Sequence, residues 1–310
     1  MIKQYSIFIL LAIALASCKK TTIAPSPVAA VKSEVASLAA SSVTYQDGWN
    51  NELHYLSPKN DPQNYDIWLP AKRDTSNTRL FVFIHGGSFL SGDKRDSEFM
   101  TTINSIIKEF PDCAIATINY RLGVMPLSDQ SKDVENAISQ LISESKAMQI
   151  SNKQIVLIGE SAGGYFAFYE GLKKDTKSGN QARYKAIVSL SGFAQMLPLT
   201  DASTSLKYRI GIAALSVKVP GLNYDAYSPV NRIAELKGLP ELYLFYGGKD
   251  DQISPQNSKK IVSAVEATKN TDYIANTYIR GFAEESHVLG ETAKSEIAVF
   301  LKEKIKFKAD

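Results

Sequence analysis

The chain has 310 residues, 44% of them hydrophobic, enough to bury a sizeable core without disulfides or a structural metal; the length suits two average domains or one large α/β domain. Its 35 basic and 32 acidic residues leave a net charge of +3, which argues against a nucleic-acid binder and, with the apolar content, against a disordered chain. Two cysteines, Cys18 and Cys113, make no disulfide framework or cysteine-rich zinc site, and any histidine chemistry must come from His54, His85 or His287.

The first elements are an address rather than a fold. Lys3 precedes an apolar run, Ile7 to Ala16. At about ten residues it is too short to span a bilayer, which needs ~20. The run closes on Leu15-Ala16-Ser17-Cys18, which resembles a bacterial lipobox; an ordinary secretory signal ending near a cysteine is the alternative. The resemblance implies a signal peptide over residues 1–17, cleavage before Cys18 and lipidation of Cys18. Several acyl chains would then hold the protein to a membrane of the cell envelope, on a periplasmic or surface face. Residues 18–43 are rich in Ala, Ser, Val and Pro and read as a tether, with a short helix over Val31 to Ala40 as the other possibility. The globular domain is expected over residues 44–310.

From there strand and helix alternate. Tyr65 to Pro70 alternates and stops at proline, the pattern of an early antiparallel strand. Leu80 to Ile84 and Cys113 to Ile118 are continuous apolar runs, as strands buried on both faces require; Cys113 reads as a small core residue. Between them, Ser97 to Phe110 has helical spacing. A helix over Asp129 to Met148 leads to a short buried strand, Ile155 to Ile158, and then to a helix over Ser161 to Lys174. Strands follow at Ala186 to Leu190, Leu242 to Tyr246 and Ile274 to Ile279, with helices at Gln256 to Thr268 and Glu291 to Ile305. This rhythm implies right-handed crossovers and a mostly parallel sheet flanked by helices. Residues 192–227 interrupt it for longer than a connection usually runs, and read as a small cap insertion.

Two motifs carry chemistry. Gly159-Glu160-Ser161-Ala162-Gly163-Gly164 lies between a buried strand and a helix. A sharp turn there would strain Ser161 and expose its hydroxyl, and the helix N-terminus would offer N–H groups to a developing negative charge. His85-Gly86-Gly87-Ser88-Phe89 directly follows the strand Leu80 to Ile84. Its glycines let the backbone approach a reacting carbonyl, forming an oxyanion hole with the Ala162 N–H as the other donor.

With Asn119-Tyr120-Arg121-Leu122, these motifs resemble the α/β-hydrolase fold, and within it the carboxylesterase and hormone-sensitive-lipase-like branch. His85 to Phe89 is similar to that branch's H-G-G-G-[FW] loop, with Ser88 in place of the third glycine. The resemblance implies a serine, acid, histidine order along the chain. The acid belongs after the strand ending at Tyr246, where the family pattern selects Asp250, with Asp251 as the register alternative. His287 is the only histidine after the nucleophile. The implied roles are Ser161 as nucleophile, His287 as base, Asp250 as the group orienting it, and Gly87, Ser88 and Ala162 as oxyanion donors. No metal or organic cofactor is required. The implied reaction is hydrolysis of small-molecule carboxylic esters with short acyl groups. An amidase, formamidase or peptidase uses the same residues, and an inactive ligand binder could share the fold.

The remaining signals have structural readings. His85 orders its loop by bonding to backbone, His54 is a surface residue, Glu160 is a structural carboxylate beneath the site, and Arg121 is an ion partner fixing a loop. Aromatic residues of the insertion form either its own small core or a substrate wall. Nothing in the sequence sets an oligomeric state.

Overall fold

The computed structural model describes residues 43–56, 62–174, 184–197, 205, 209 and 223–308. The signal peptide, Cys18 and the tether up to residue 42 lie outside the described residues, as does most of the expected cap insertion.

Eight strands form one sheet: β1 (Gly48–His54), β2 (Asn64–Leu69), β3 (Leu80–Ile84), β4 (Ala114–Ile118), β5 (Val156–Glu160), β6 (Ala186–Leu190), β7 (Glu241–Gly247) and β8 (Thr277–Phe282), in the order β1-β2-β4-β3-β5-β6-β7-β8. From β4 to β8 every pairing is parallel; β2 runs antiparallel to both β1 and β4. The helices are α1 (Ser97–Glu109), α2 (Leu127–Ser143), α3 (Ala162–Gly171), α4 (Gln256–Ala267), α5 (Thr271–Ala275) and α6 (Glu291–Lys304), with a 3-10 helix at Pro229–Glu235. This is the α/β-hydrolase fold.

The continuous apolar strands divide their side chains between two layers, because successive residues of a strand face opposite sides. Leu80, Val82 and Ile84 of β3 join a core containing Val134 and Ile138 of α2 and Phe166 of α3. Phe81 and Phe83 face the other way, into a core with Phe99 and Ile103 of α1 and Ile297 and Leu301 of α6. Each of these side chains is essentially solvent-free, so the middle of the sheet is fixed by burial on both faces. Cys113 is buried in the second layer.

Three features differ from the sequence expectation. Strand β1 is additional; it carries a register shift between Asn50 and Leu53, and Glu52 has φ +53°, so its sequence shows no clean alternation. The strand expected from Ile274 begins at Thr277, because α5 occupies Thr271–Ala275, capped by Asn270 Oδ1, which accepts from the N–H groups of Asp272 and Tyr273. Helix α2 ends at Ser143 rather than Met148. The described ends of the 192–227 stretch pack on the main body: Phe193 and Met196 are buried, the Met196 N–H donates to Ser228 Oγ (2.8 Å), and the Tyr165 hydroxyl donates to Tyr227 O (2.8 Å).

Because β3, β5, β7 and β8 are parallel, their C-terminal ends share one edge. His85, Ser161, Asp250 and His287 all lie on the segments leaving that edge, where ligands bind in open α/β sheets.

Candidate active site

Ser161 is the single residue between β5 and α3, and its backbone sits at φ +54°, ψ −118°, a region that side chains other than glycine rarely occupy. The turn is overdetermined. Its N–H donates to Leu190 O on β6 (2.9 Å), and its carbonyl accepts from the Tyr165 N–H (3.2 Å) as α3 begins. Gly163 makes the tight passage possible: a Cβ there would stand 1.9 Å from Ile84 O.

The hydroxyl meets His287, whose Nε2 is 2.9 Å from Ser161 Oγ. On the far side of the ring, Nδ1 is 2.8 Å from Asp250 Oδ2. A carboxylate accepts only, so Nδ1 carries the proton and donates to Asp250. The neutral ring then presents Nε2 as an acceptor to the serine O–H. The Asp250 carboxylate is fully buried, and its other oxygen accepts from the N–H groups of Gln252 (2.9 Å) and Ile253 (2.8 Å). The loop bearing His287 is stitched to the Asp250 loop: the Lys249 N–H donates to Glu285 O (2.9 Å), and Glu285 Oε2 accepts from the Gly290 N–H (2.7 Å). Asp251 is exposed, and the histidine contact is made by Asp250.

The loop after β3 faces the serine. Gly87, Ser88 and Phe89 lie at φ +102°, +55° and +68°. The Gly87 carbonyl turns back into the loop, accepting from the N–H groups of Leu90 (3.0 Å) and Ser91 (3.1 Å). In a trans peptide the N–H points opposite to the C=O, so the Ser88 N–H is directed away from that turn. Gly87, Ser88 and Ser161 line one cavity of about 470 Å³. The positive φ at Ser88 explains the suitability of glycine there; serine holds this conformation at a cost of about 1–2 kcal/mol.

His85 stacks on Tyr120 (ring centroids 4.5 Å apart), its Nδ1 lies 2.8 Å from Gly86 O, and burial pushes its pKa down. The Tyr120 hydroxyl donates to His85 O (3.0 Å). Arg121 grips the buried Asp133 of α2 through Nε (2.7 Å) and Nη2 (2.9 Å). Lys94, which the sequence motifs do not single out, also holds the loop. The Lys94 N–H donates to Asn119 Oδ1 (2.7 Å), and the buried Lys94 ammonium pairs with Glu52 Oε1 (3.0 Å). His54 is half-buried on β1 rather than fully exposed.

Glu160 lines the same cavity. It is buried. Burial raises its pKa, while the positive charge of Lys294 and the neighbouring His287 pull the other way. The folded state therefore binds more protons at this position than the unfolded chain. Stability falls as pH rises from the ordinary carboxylate range through the raised value. Glu160→Gln removes that slope. Thermal melts across pH are expected to show the variant gaining on the parent as pH rises above the ordinary carboxylate range; a growing deficit at alkaline pH would mean that the ionised carboxylate is net favourable.

The BD-FAE family profile matches residues 65–265. Among curated proteins, the isoprenylcysteine alpha-carbonyl methylesterase ICME of Arabidopsis thaliana is 27% identical over 223 residues, 66% of this chain and 50% of that protein. The chain spans about half the length of the curated relatives it matches. Among solved structures, a truncated carbohydrate esterase from gut microbiota superposes with a TM-score of 0.64 at 18% identity, covering 85% of this chain and 99% of that one. A thermophilic esterase from Thermogutta terrifontis with butyrate bound gives a TM-score of 0.61 at 19% identity, covering 82% and 93%.

Proposed function

The chain belongs to the BD-FAE family, and from that membership and the contacts of Ser161 we propose that it is a serine hydrolase of carboxylic esters. One observation carries the reading: His287 bridges Ser161 Oγ at 2.9 Å and Asp250 Oδ2 at 2.8 Å. His287 Nε2 takes the serine proton as Oγ attacks the ester carbonyl, because a free hydroxyl is a poor nucleophile. Asp250 holds the ring in the accepting tautomer and stabilises the imidazolium. The oxyanion of the tetrahedral intermediate accepts from the N–H groups of Gly87, Ser88 and Ala162. The imidazolium protonates the leaving alcohol, and water repeats the sequence on the acyl-enzyme, releasing acid and serine.

The cavity favours a short acyl group and a polar alcohol. Ser88 stands at its wall in place of a glycine, and Asp93, Asp96, Glu98 and Glu160 supply acceptors around it. Those acceptors suit a hydroxyl-rich leaving group, in line with the carbohydrate esterase among the structural neighbours. The lipobox-like Leu15 to Cys18 supports attachment through Cys18 to a cell-envelope membrane. Among the described residues no helix is long and apolar enough to cross one.

A matched panel tests the reaction class: p-nitrophenyl esters from acetyl to octanoyl, an acetylated sugar, and the corresponding anilides. Hydrolysis of the esters, fastest with short acyl groups, is expected. Preference for the anilide would replace the esterase reading by an amidase, and a folded protein inert to all of them would replace it by a binder.

A further inference from the structure

The oxyanion loop is held from behind by a side chain that the reaction itself does not use. Gln130 lies in the first turn of α2 and is completely buried. Its Nε2 donates to Phe89 O (2.8 Å) and to Arg121 O (3.0 Å). Both amide hydrogens are thus committed, one to the loop after β3 and one to the loop after β4. The amide oxygen is buried with no hydrogen-bond partner among the described residues. An acceptor left unsatisfied is costly, so stability alone is a poor reason for an amide at this position. A near-isosteric methionine would fill the same space without the orphan oxygen.

What the amide holds is a strained segment. Ser88 and Phe89 are consecutive residues at positive φ, and neither is glycine. The upstream peptide is fixed by the turn that captures the Gly87 carbonyl. The downstream carbonyl, Phe89 O, is fixed by Gln130 and by the Gly123 N–H (3.2 Å). Ser88 and Phe89 lie between these two held peptides, so their torsions cannot relax without breaking either the turn at Gly87 O or the bonds at Phe89 O, and the Ser88 N–H, in the same peptide as Gly87 O, keeps its direction. We infer that Gln130 is a positioning residue for the oxyanion hole: it locks the Ser88 and Phe89 backbone in the strained form that presents the Ser88 N–H to the oxyanion. The inference rests on the serine-hydrolase reading. It assigns Gln130 to the stabilisation of the transition state and not to the binding of substrate.

The test compares Gln130→Met, which keeps the volume and removes the donors, with Gln130→Glu, which keeps the shape and donates only when protonated. Three quantities are read on each folded variant: kcat and KM for a p-nitrophenyl ester, affinity for a trifluoromethyl ketone that forms an oxyanion on Ser161, and the melting temperature. For Gln130→Met, kcat is expected to fall about 10- to 100-fold, less than the loss of a whole oxyanion donor. Ketone affinity should fall in parallel, with KM within about threefold. For Gln130→Glu, kcat relative to wild type at the same pH should recover as pH falls and the buried carboxyl takes up its proton. Should Gln130→Met fail to fold, the pH-dependent recovery of Gln130→Glu decides alone. Unchanged kcat and ketone affinity in a folded Gln130→Met, or a loss confined to KM, overturns the inference. A wild-type protein that neither turns over ester nor binds the ketone overturns instead the hydrolase reading, and this one with it.

Discussion

Ser161→Ala is expected to lower ester turnover by about 10⁴- to 10⁶-fold and to abolish labelling by a fluorophosphonate, with the fold retained. The magnitude follows from the arrangement around Oγ. Among the described residues, the base that contacts this hydroxyl and can raise its nucleophilicity is His287, through Nε2. With Oγ gone, only the N–H groups around the cavity remain, and these alone leave a residual rate above that in water. The elbow does not depend on the hydroxyl: it is kept by the Ser161 N–H bond to Leu190 O, the Tyr165 N–H bond to Ser161 O and the close approach of Gly163 to Ile84. Circular dichroism and melting temperature should therefore stay near those of the parent. A double variant with His287→Ala should be no slower than Ser161→Ala, because the two act as one unit. More than a tenth of parental activity in purified Ser161→Ala would remove the serine from the mechanism.

The elements that sequence reading located well are those whose burial is uniform. Leu80 to Ile84 and Ala186 to Leu190 coincide with β3 and β6, since strands buried on both faces are built mainly from apolar side chains. The glycine-rich turns were legible for a related reason. The space beside Gly163 admits no side chain, so the residue type follows from the geometry. Elements resting on polar contacts were less visible. Strand β1 reads Gly-Trp-Asn-Asn-Glu-Leu-His, and its register shift breaks the alternation that would have marked it. In the stretch before β8, Ile274 and Ile279 suggested one strand, yet Asn270 supplies the helix cap that starts α5; that asparagine was the available signal.

The same distinction separates the site residues. Ser161, Asp250 and His287 were reachable from motif and chain order. Gln130 and Lys94 were not, because each acts through hydrogen bonds to the backbone or side chains of segments distant in sequence. The Gln130 amide spans 41 residues to Phe89, and Lys94 spans 42 residues to Glu52. A polar residue within a helix pattern has an exposed face as its default reading. Only the packing of the first turn of α2 behind the oxyanion loop gives Gln130 another.

Asp250→Asn should cost about 10⁴-fold in kcat, and the contacts around the carboxylate explain how. Oδ1 accepts two backbone N–H bonds, from Gln252 and Ile253. An asparagine must keep its carbonyl oxygen there, because an NH₂ group facing two donors would leave all of them unpaired. Its NH₂ then occupies the Oδ2 position, facing His287 Nδ1 at hydrogen-bond distance. Two donors cannot share that contact, so the imidazole shifts its proton to Nε2. The proton now points at Ser161 Oγ, and the base has lost the lone pair with which it would accept. KM should change little, as Asp250 does not line the cavity. Asp251→Asn, at an exposed position, is expected to stay within about twofold of wild type, as surface changes usually do. Measuring kcat and the fluorophosphonate labelling rate for both variants separates the two registers. A larger loss from Asp251→Asn than from Asp250→Asn would show that the working enzyme uses the other carboxylate.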